Sequence, residues 1–187
     1  MKDGVELFDA LDSKGAPTGK LKTKTQIFDD GDWRSVIHIW LLNPGGRLLV
    51  QKRAHKGIWN DLWDVSVGGG VSAGEDPKNA AVRELNEELS IKVEETDLKH
   101  LGRWETSKTI HERQQVGREF SDTYLLQKDI DLSKIKLQVE EVVAVEWLTL
   151  DKLRLAITDD KEYKKWVPHP KSYYLGVLEV LKEQELV

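Results

Sequence analysis

Three glutamates, Glu84, Glu87 and Glu88, stand at i, i+3 and i+4 in a stretch with nothing to break a helix between Pro77 and Leu89. Asp76 carries the side chain of an N-cap and Pro77 suits the first helical position, so a helix is expected to start there. Ala80, Ala81, Leu85 and Leu89 favour its continuation. On a helix the three carboxylates share an arc of roughly 100°, with Ala81, Val82, Leu85 and Leu89 on the adjoining side. Like charges so placed destabilise a helix by about a few tenths of a kcal/mol per pair. A cation should offset them, and clustered carboxylate oxygens are the hard ligands that Mg²⁺ or Mn²⁺ prefers. A solvated acidic face is the plainer reading of the same residues. Gly68, Gly69 and Gly70, read as a turn, and a loop carrying Glu75 lead into this helix.

The stretch 69–91 resembles the Nudix box, G-x5-E-x7-R-E-U-x-E-E-x-G-U with U an aliphatic residue. Gly69, Glu75, Arg83, Glu84, Leu85, Glu87, Glu88 and Ile91 occupy the matching positions. Ser90 replaces the second glycine, at a helix end where a left-handed backbone is favoured and serine costs about 1 kcal/mol. The resemblance implies that Glu84, Glu87 and Glu88 are the catalytic metal ligands, with Glu87 or Glu88 alternatively positioning the attacking water. It makes Glu75 a further ligand or an ion-pair partner, and gives Arg83 the task of pairing with a box glutamate to hold the loop on the helix. Glu119 matches a region where several such enzymes place an extra carboxylate, as metal ligand or base. Gly69 and Gly70 are expected against the substrate.

The elements that must position this helix are read from alternation and turn residues. A strand over 5–11 meets a turn over 12–15, and Lys20, Lys22 and Lys24 alternate on a polar strand-like piece, as a solvated edge or a phosphate contact. β-formers fill Trp33–Leu42, Asn43-Pro44-Gly45-Gly46 turns, and Arg47–Arg53 returns as the partner strand. A loop over 54–61 and a short strand over 62–67 follow. Further strands are expected over 98–106 and 120–127, separated by a polar, substrate-facing loop over 107–119, and a buried one over 142–148. Helices are expected over 150–157, in part of 161–166, and over 172–185, where Tyr174, Val177, Leu178 and Leu181 form the apolar stripe. This order points to an α/β sandwich. The resemblance makes it a Nudix-type α/β/α sandwich with a mixed central sheet, in a single domain over 1–187.

Other residues with usable chemistry lie outside the box. Arg53 suits bidentate phosphate contact, and Lys56 in the next loop is a second phosphate candidate; a solvated strand end is the plain alternative. Glu140 and Glu141 are a further acidic pair. His38, inside an apolar strand, reads as a hydrogen-bonded structural histidine before a ligand. Trp59 and Trp63 could stack on a base or isoprenoid, or serve the core.

Composition narrows the classes. The 187 residues have a formal charge of −5, which argues against general nucleic-acid binding through a basic surface. With no cysteine, thiol catalysis and thiolate metal sites are excluded, and a reducing cytoplasm is the expected location. No apolar run suits a leader peptide at the start or a membrane span anywhere. The resemblance also implies a small-molecule diphosphate partner, and a homodimer is common among such proteins.

Beyond the box, Arg34 to Asn43, Leu48 to Arg53, Lys56 and Trp63 look like the isopentenyl-diphosphate isomerase-like branch. Those isomerases place a cysteine where Gly68 stands, and metal-binding histidines where Gly70 and Arg34 stand. The resemblance therefore implies metal-dependent hydrolysis by water attack on phosphorus rather than isomerisation. A non-catalytic module that binds a phosphorylated ligand is the alternative of a different class.

Overall fold

A computed structural model describes residues 5–55, 59–110 and 115–184. Strand β3 (Trp33–Leu42) is its axis. Along one edge β3 pairs in parallel with β8 (Gln115–Gln127), from Trp33 opposite Arg118 to Leu42 opposite Gln127. Three strands share the other edge in turn. β1 (Phe8–Leu11) meets it at Leu11 and Trp33, and β6 (Val67–Gly70) runs antiparallel from Val36–Gly70 to Ile39–Val67. Last comes β4 (Arg47–Arg53), paired only through Leu42 and Leu48.

The expected hairpin is therefore a fork. β4 leaves β3 to pair with β5 (Trp63–Asp64) and β9 (Val142–Thr149). Ser66 ties the two arms: the Leu41 N–H donates to its hydroxyl at 2.8 Å, and the hydroxyl donates to the Leu49 carbonyl at 2.6 Å. The strand expected over 62–67 is thus split, and the glycine turn expected at 68–70 is instead the strand β6. Glycine is there because neighbours leave no room for a side chain. A Cβ on Gly69 would collide with the Glu84 carboxyl group, and one on Gly70 with the Phe8 ring.

The polar loop expected over 107–119 is corrected as well. β7 (Leu98–Ile110) and β8 form one long antiparallel pair, from Leu98–Leu126 to Ile110–Gln115. Its polar residues suggested a loop, but Lys108 and Glu119 are buried by pairing with each other. Lys24 likewise does not extend the edge strand β2 (Pro17–Lys22) but opens helix α1 (Lys24–Asp30). Thr23 and Gln26 form its capping box, a signature visible as T-x-x-Q in the sequence. β9 matches the expected strand in extent but is mostly half-buried, with Val142 its one core residue.

Helix α2 (Pro77–Leu89) has the expected bounds; the Asp76 side chain accepts from the Lys78 N–H at 2.8 Å. Ser90 ends it in the left-handed conformation, φ 54°. Alternation along β3 then builds the layers. Ile37, Ile39 and Leu41 pack with Ala80, Ala81, Leu85 and Leu89 of α2. Trp40 and Leu42 face the other layer, made of α3 (Leu150–Thr158), the one-turn α4 (Asp160–Tyr163) and α5 (Lys171–Glu183). The stripe Tyr174, Val177, Leu178 and Leu181 is buried there, joined by Tyr173. The result is an α/β/α sandwich around a nine-stranded mixed sheet among the described residues.

Candidate active site

Where β3 and β4 part, a cavity of about 660 Å³ opens, lined from the sheet, α1, α2 and the chain entering α5. It has two chemically different ends.

Carboxylates of α2 mark the first. Gly69 lets Glu84 lie flat against β6, while Glu88 on the next turn is only 2% exposed and its Oε2 has no partner. Burial pushes the Glu84 carboxyl up to about 7, against the pull of Arg83, with repulsion from Glu87 and Glu141 adding to the rise. Burial raises Glu88 well above the usual carboxylate range, and repulsion from Glu84 and Glu141 raises it further. Glu141, of the acidic pair noted in the sequence, thus joins this cluster from the loop before β9 and lines the cavity.

Arg83 organises the group. Its guanidinium donates to Glu75 through Nε and Nη2 at 3.0 and 2.9 Å, to Glu84 at 2.8 Å, to Glu87 at 3.2 Å and to the Gly70 carbonyl at 3.0 Å. The hydrogen bonds from Arg83 hold the Glu75 carboxyl below its ordinary range. Arg83 engages Glu84 and Glu87, and no three His, Asp or Glu side chains converge as a ready metal cage among the described residues. The donor set nonetheless fits a hard divalent cation: two buried, mutually repelling carboxylates, one with an oxygen left without a partner.

At the second end runs a chain of paired charged and polar side chains. Glu119 accepts from Arg34 at 2.6 Å through Oε1 and pairs with Lys108 at 2.7 Å through Oε2. Burial alone would raise its pKa, but those two cations hold it well below the usual range. Lys108 also reaches His169 Nδ1 at 3.3 Å, His169 Nε2 lies 3.0 Å from Asp64, and Asp64 accepts from Arg53 at 3.3 Å. His169 and Arg53 depress Asp64 in spite of its burial. His38 stands 2.8 Å from the Tyr173 hydroxyl and packs edge-on to His169; burial, then the neighbouring His169, lowers it well below 6.5. Lys24 stands at the cavity mouth, open to solvent, yet surrounding protein and the Arg34 charge bring its ammonium down to about 8.

The expected residues are therefore partly assembled. Gly69, Gly70, Arg53, Arg83, Glu84, Glu87 and Glu119 all line one cavity, with Glu88 just behind the lining and Glu75 held through Arg83. Glu119, expected as ligand or base, gives both oxygens to cations. Trp59 reaches the cavity, whereas Trp63 packs on the α5 layer and Lys22 pairs with Asp30 and Asp32. Lys56 lies outside the described residues. Asp64, Lys108 and His169 were not singled out from the sequence, and Arg34 only as a position matched to an isomerase histidine. The alternation Trp104, Thr106, Lys108 along β7 was the signal for Lys108, masked by its polar surroundings.

Comparison with known proteins agrees with this architecture. The NUDIX domain profile matches residues 32–170. Nudix hydrolase 3 of Arabidopsis thaliana is 32% identical over 88% of this chain, which spans only 22% of that protein's length. The uncharacterised Nudix hydrolase lin0387 of Listeria innocua is 33% identical over 80% of this chain and 83% of its own. An isopentenyl-diphosphate Delta-isomerase of Corynebacterium glutamicum is 33% identical over half of each chain. In fold, the chain is similar to DR0079 of Deinococcus radiodurans, with a TM-score of 0.65 and 24% identity over 82% of this chain and 89% of that one. Matched in profile, in sequence and in fold, the chain belongs to the Nudix hydrolase family.

Proposed function

We propose that this Nudix pyrophosphohydrolase cleaves the diphosphate linkage of a small organic diphosphate, in a divalent-metal-dependent attack of water on phosphorus. The observation that carries this reading is Glu84 lining the cavity with Glu88 buried one turn on, one oxygen of Glu88 unpartnered. Glu84, Glu87 and Glu88 would hold the ion, Mg²⁺ or Mn²⁺ by the hardness of their oxygens. Such an ion, when bound, lowers the pKa of water and neutralises charge on phosphate oxygens. The chain's own residues supply position. Gly69 and Gly70 line the cavity toward the substrate and make room for the Glu84 carboxyl group and the Phe8 ring, Arg53 offers a phosphate contact anchored on Asp64, and Glu75 fixes Arg83 between the carboxylates. Glu119 in this reading orients Arg34 and Lys108. The cysteine-free sequence suits a cytoplasmic enzyme, no described helix is long and apolar enough to cross a membrane, and a homodimer is the assembly for light scattering to test.

The test is a panel of nucleotide sugars, dinucleotides, nucleoside triphosphates, ADP-ribose, coenzyme A and prenyl diphosphates, incubated with Mg²⁺ or Mn²⁺ and with chelator. Released phosphate is read after phosphatase or pyrophosphatase coupling. Turnover of at least one member, lost on chelation, is the expected result. Tight, saturable binding of a member with no turnover of any would overturn it in favour of a binding module.

A further inference from the structure

The second end of the cavity holds more positive charge than its own carboxylates offset. Four cations line it, Lys24, Arg34, Arg53 and Lys108. Two carboxylates form ion pairs with three of them: Glu119 takes Arg34 and Lys108, and Asp64 takes Arg53, while Glu141 lines the cavity and acts on Lys24 only at longer range. Lys24 has no ion-pair partner among the described residues. Arg34 commits Nη2 to Glu119 and leaves Nη1, beside Gly70, without one among the described residues. Its guanidinium is fixed with the Phe8 and Phe28 rings each 5.4 Å away, so its direction is set before any ligand arrives. Arg34 and Lys108 are buried with the single carboxylate of Glu119 between them, an excess of positive charge that an anion would offset.

We infer that this end is a second anion subsite, formed by Lys24, Arg34 and Lys108, and that the substrate is an organic diphosphate carrying a further phosphate monoester away from the scissile linkage. Two uncompensated positive charges match a dianionic monoester better than a single carboxylate. A guanidinium edge beside two ammonium groups offers the charge-assisted donors that phosphate oxygens take. The inference rests on the hydrolase reading for the scissile diphosphate, but the subsite is testable without it.

The experiment uses matched probes that differ by one phosphate: coenzyme A with dephospho-coenzyme A, and ADP-ribose 2′-phosphate with ADP-ribose. For at least one pair the phosphorylated member should be preferred about tenfold or more in kcat/KM, chiefly through KM, as charge-assisted contacts allow. Lys24→Gln, an exposed change at the start of α1, should collapse that ratio towards one. Equal losses for both members of each pair, or no preference in the unmodified chain, would overturn the subsite and assign these cations to the scissile diphosphate itself. If no probe is turned over with either metal, the hydrolase reading fails separately. The subsite is then read by thermal shift: greater stabilisation by the phosphorylated member, abolished in Lys24→Gln, supports it, and equal shifts sink it.

Discussion

At Glu88 the ordinary rules of burial are broken: a carboxylate 2% exposed, with one oxygen unpartnered, is repelled by Glu84, Glu141 and Asp64 and only partly offset by Arg53. Its neighbour Glu84 fits only because Gly69 lacks a side chain. Gly69→Ala should therefore cost about 1–3 kcal/mol by overpacking, whereas Gly68→Ala meets only ordinary contacts at 3.5 Å and should cost far less; paired urea melts give the difference. On the opposite wall His38 and His169 are buried and held below their usual pKa of 6.5. As pH falls from about 7 to 5 the unfolded chain takes up protons that the folded one refuses, so these groups withdraw stability as acid is added. The raised carboxylates of α2 act in the opposite sense, so the difference between two chains is the clean measure. His38→Gln should flatten the fall of stability with acid by up to about 1.4 kcal/mol per pH unit relative to the unmodified chain; unchanged slopes would show that His38 titrates normally. The box residues were legible because their partners are local: Asp76 caps its own helix and Arg83 meets Glu84 and Glu87. Arg34, Lys108, His169 and Asp64 were not, because Arg34 meets Glu119 across 85 positions and His169 meets Asp64 across 105. No local pattern announces such pairs.

Among the elements, helix α2 and the strands β3 and β4 could be bounded from sequence because turns, caps and apolar periodicity agree there. Pairing was a different matter. A turn such as Asn43–Gly46 reads as a hairpin, but the pairing beyond the turn depends on which strand competes for the β3 edge, and β6 wins it. Ser66 makes that outcome stable by serving both arms of the fork. Ser66→Ala leaves a buried N–H and a buried carbonyl without their partner and should cost about 2 kcal/mol or more, seen as a lower urea midpoint at unchanged m-value. At the other end of the site helix, Ser90 holds a conformation that favours glycine. Ser90→Gly should stabilise the fold by about 0.5–1 kcal/mol, less whatever its exposed bond to the Lys136 carbonyl contributes. A destabilised variant would mean that this bond outweighs the backbone strain. The long β7–β8 pair shows why polar composition misleads: a charged residue enters a buried face when its partner enters with it.

For the whole molecule, the fork in the sheet is the feature that creates the site. It opens one cavity between the two layers and gives it an acidic end on α2 and a cationic end on β3, β7 and α1. Such polarity suits a substrate whose own charge is spread along its length, with the reacting linkage drawn to the carboxylates only when a cation stands between them. That dependence makes Glu88→Gln the most direct test, measured as turnover with Mg²⁺ or Mn²⁺ beside the melting temperature. Removing a repelling buried charge should leave the melting temperature unchanged or higher, while kcat falls roughly a hundredfold or more. A variant that keeps its turnover at an unchanged melting temperature would contradict the assignment of the α2 carboxylates to the reaction.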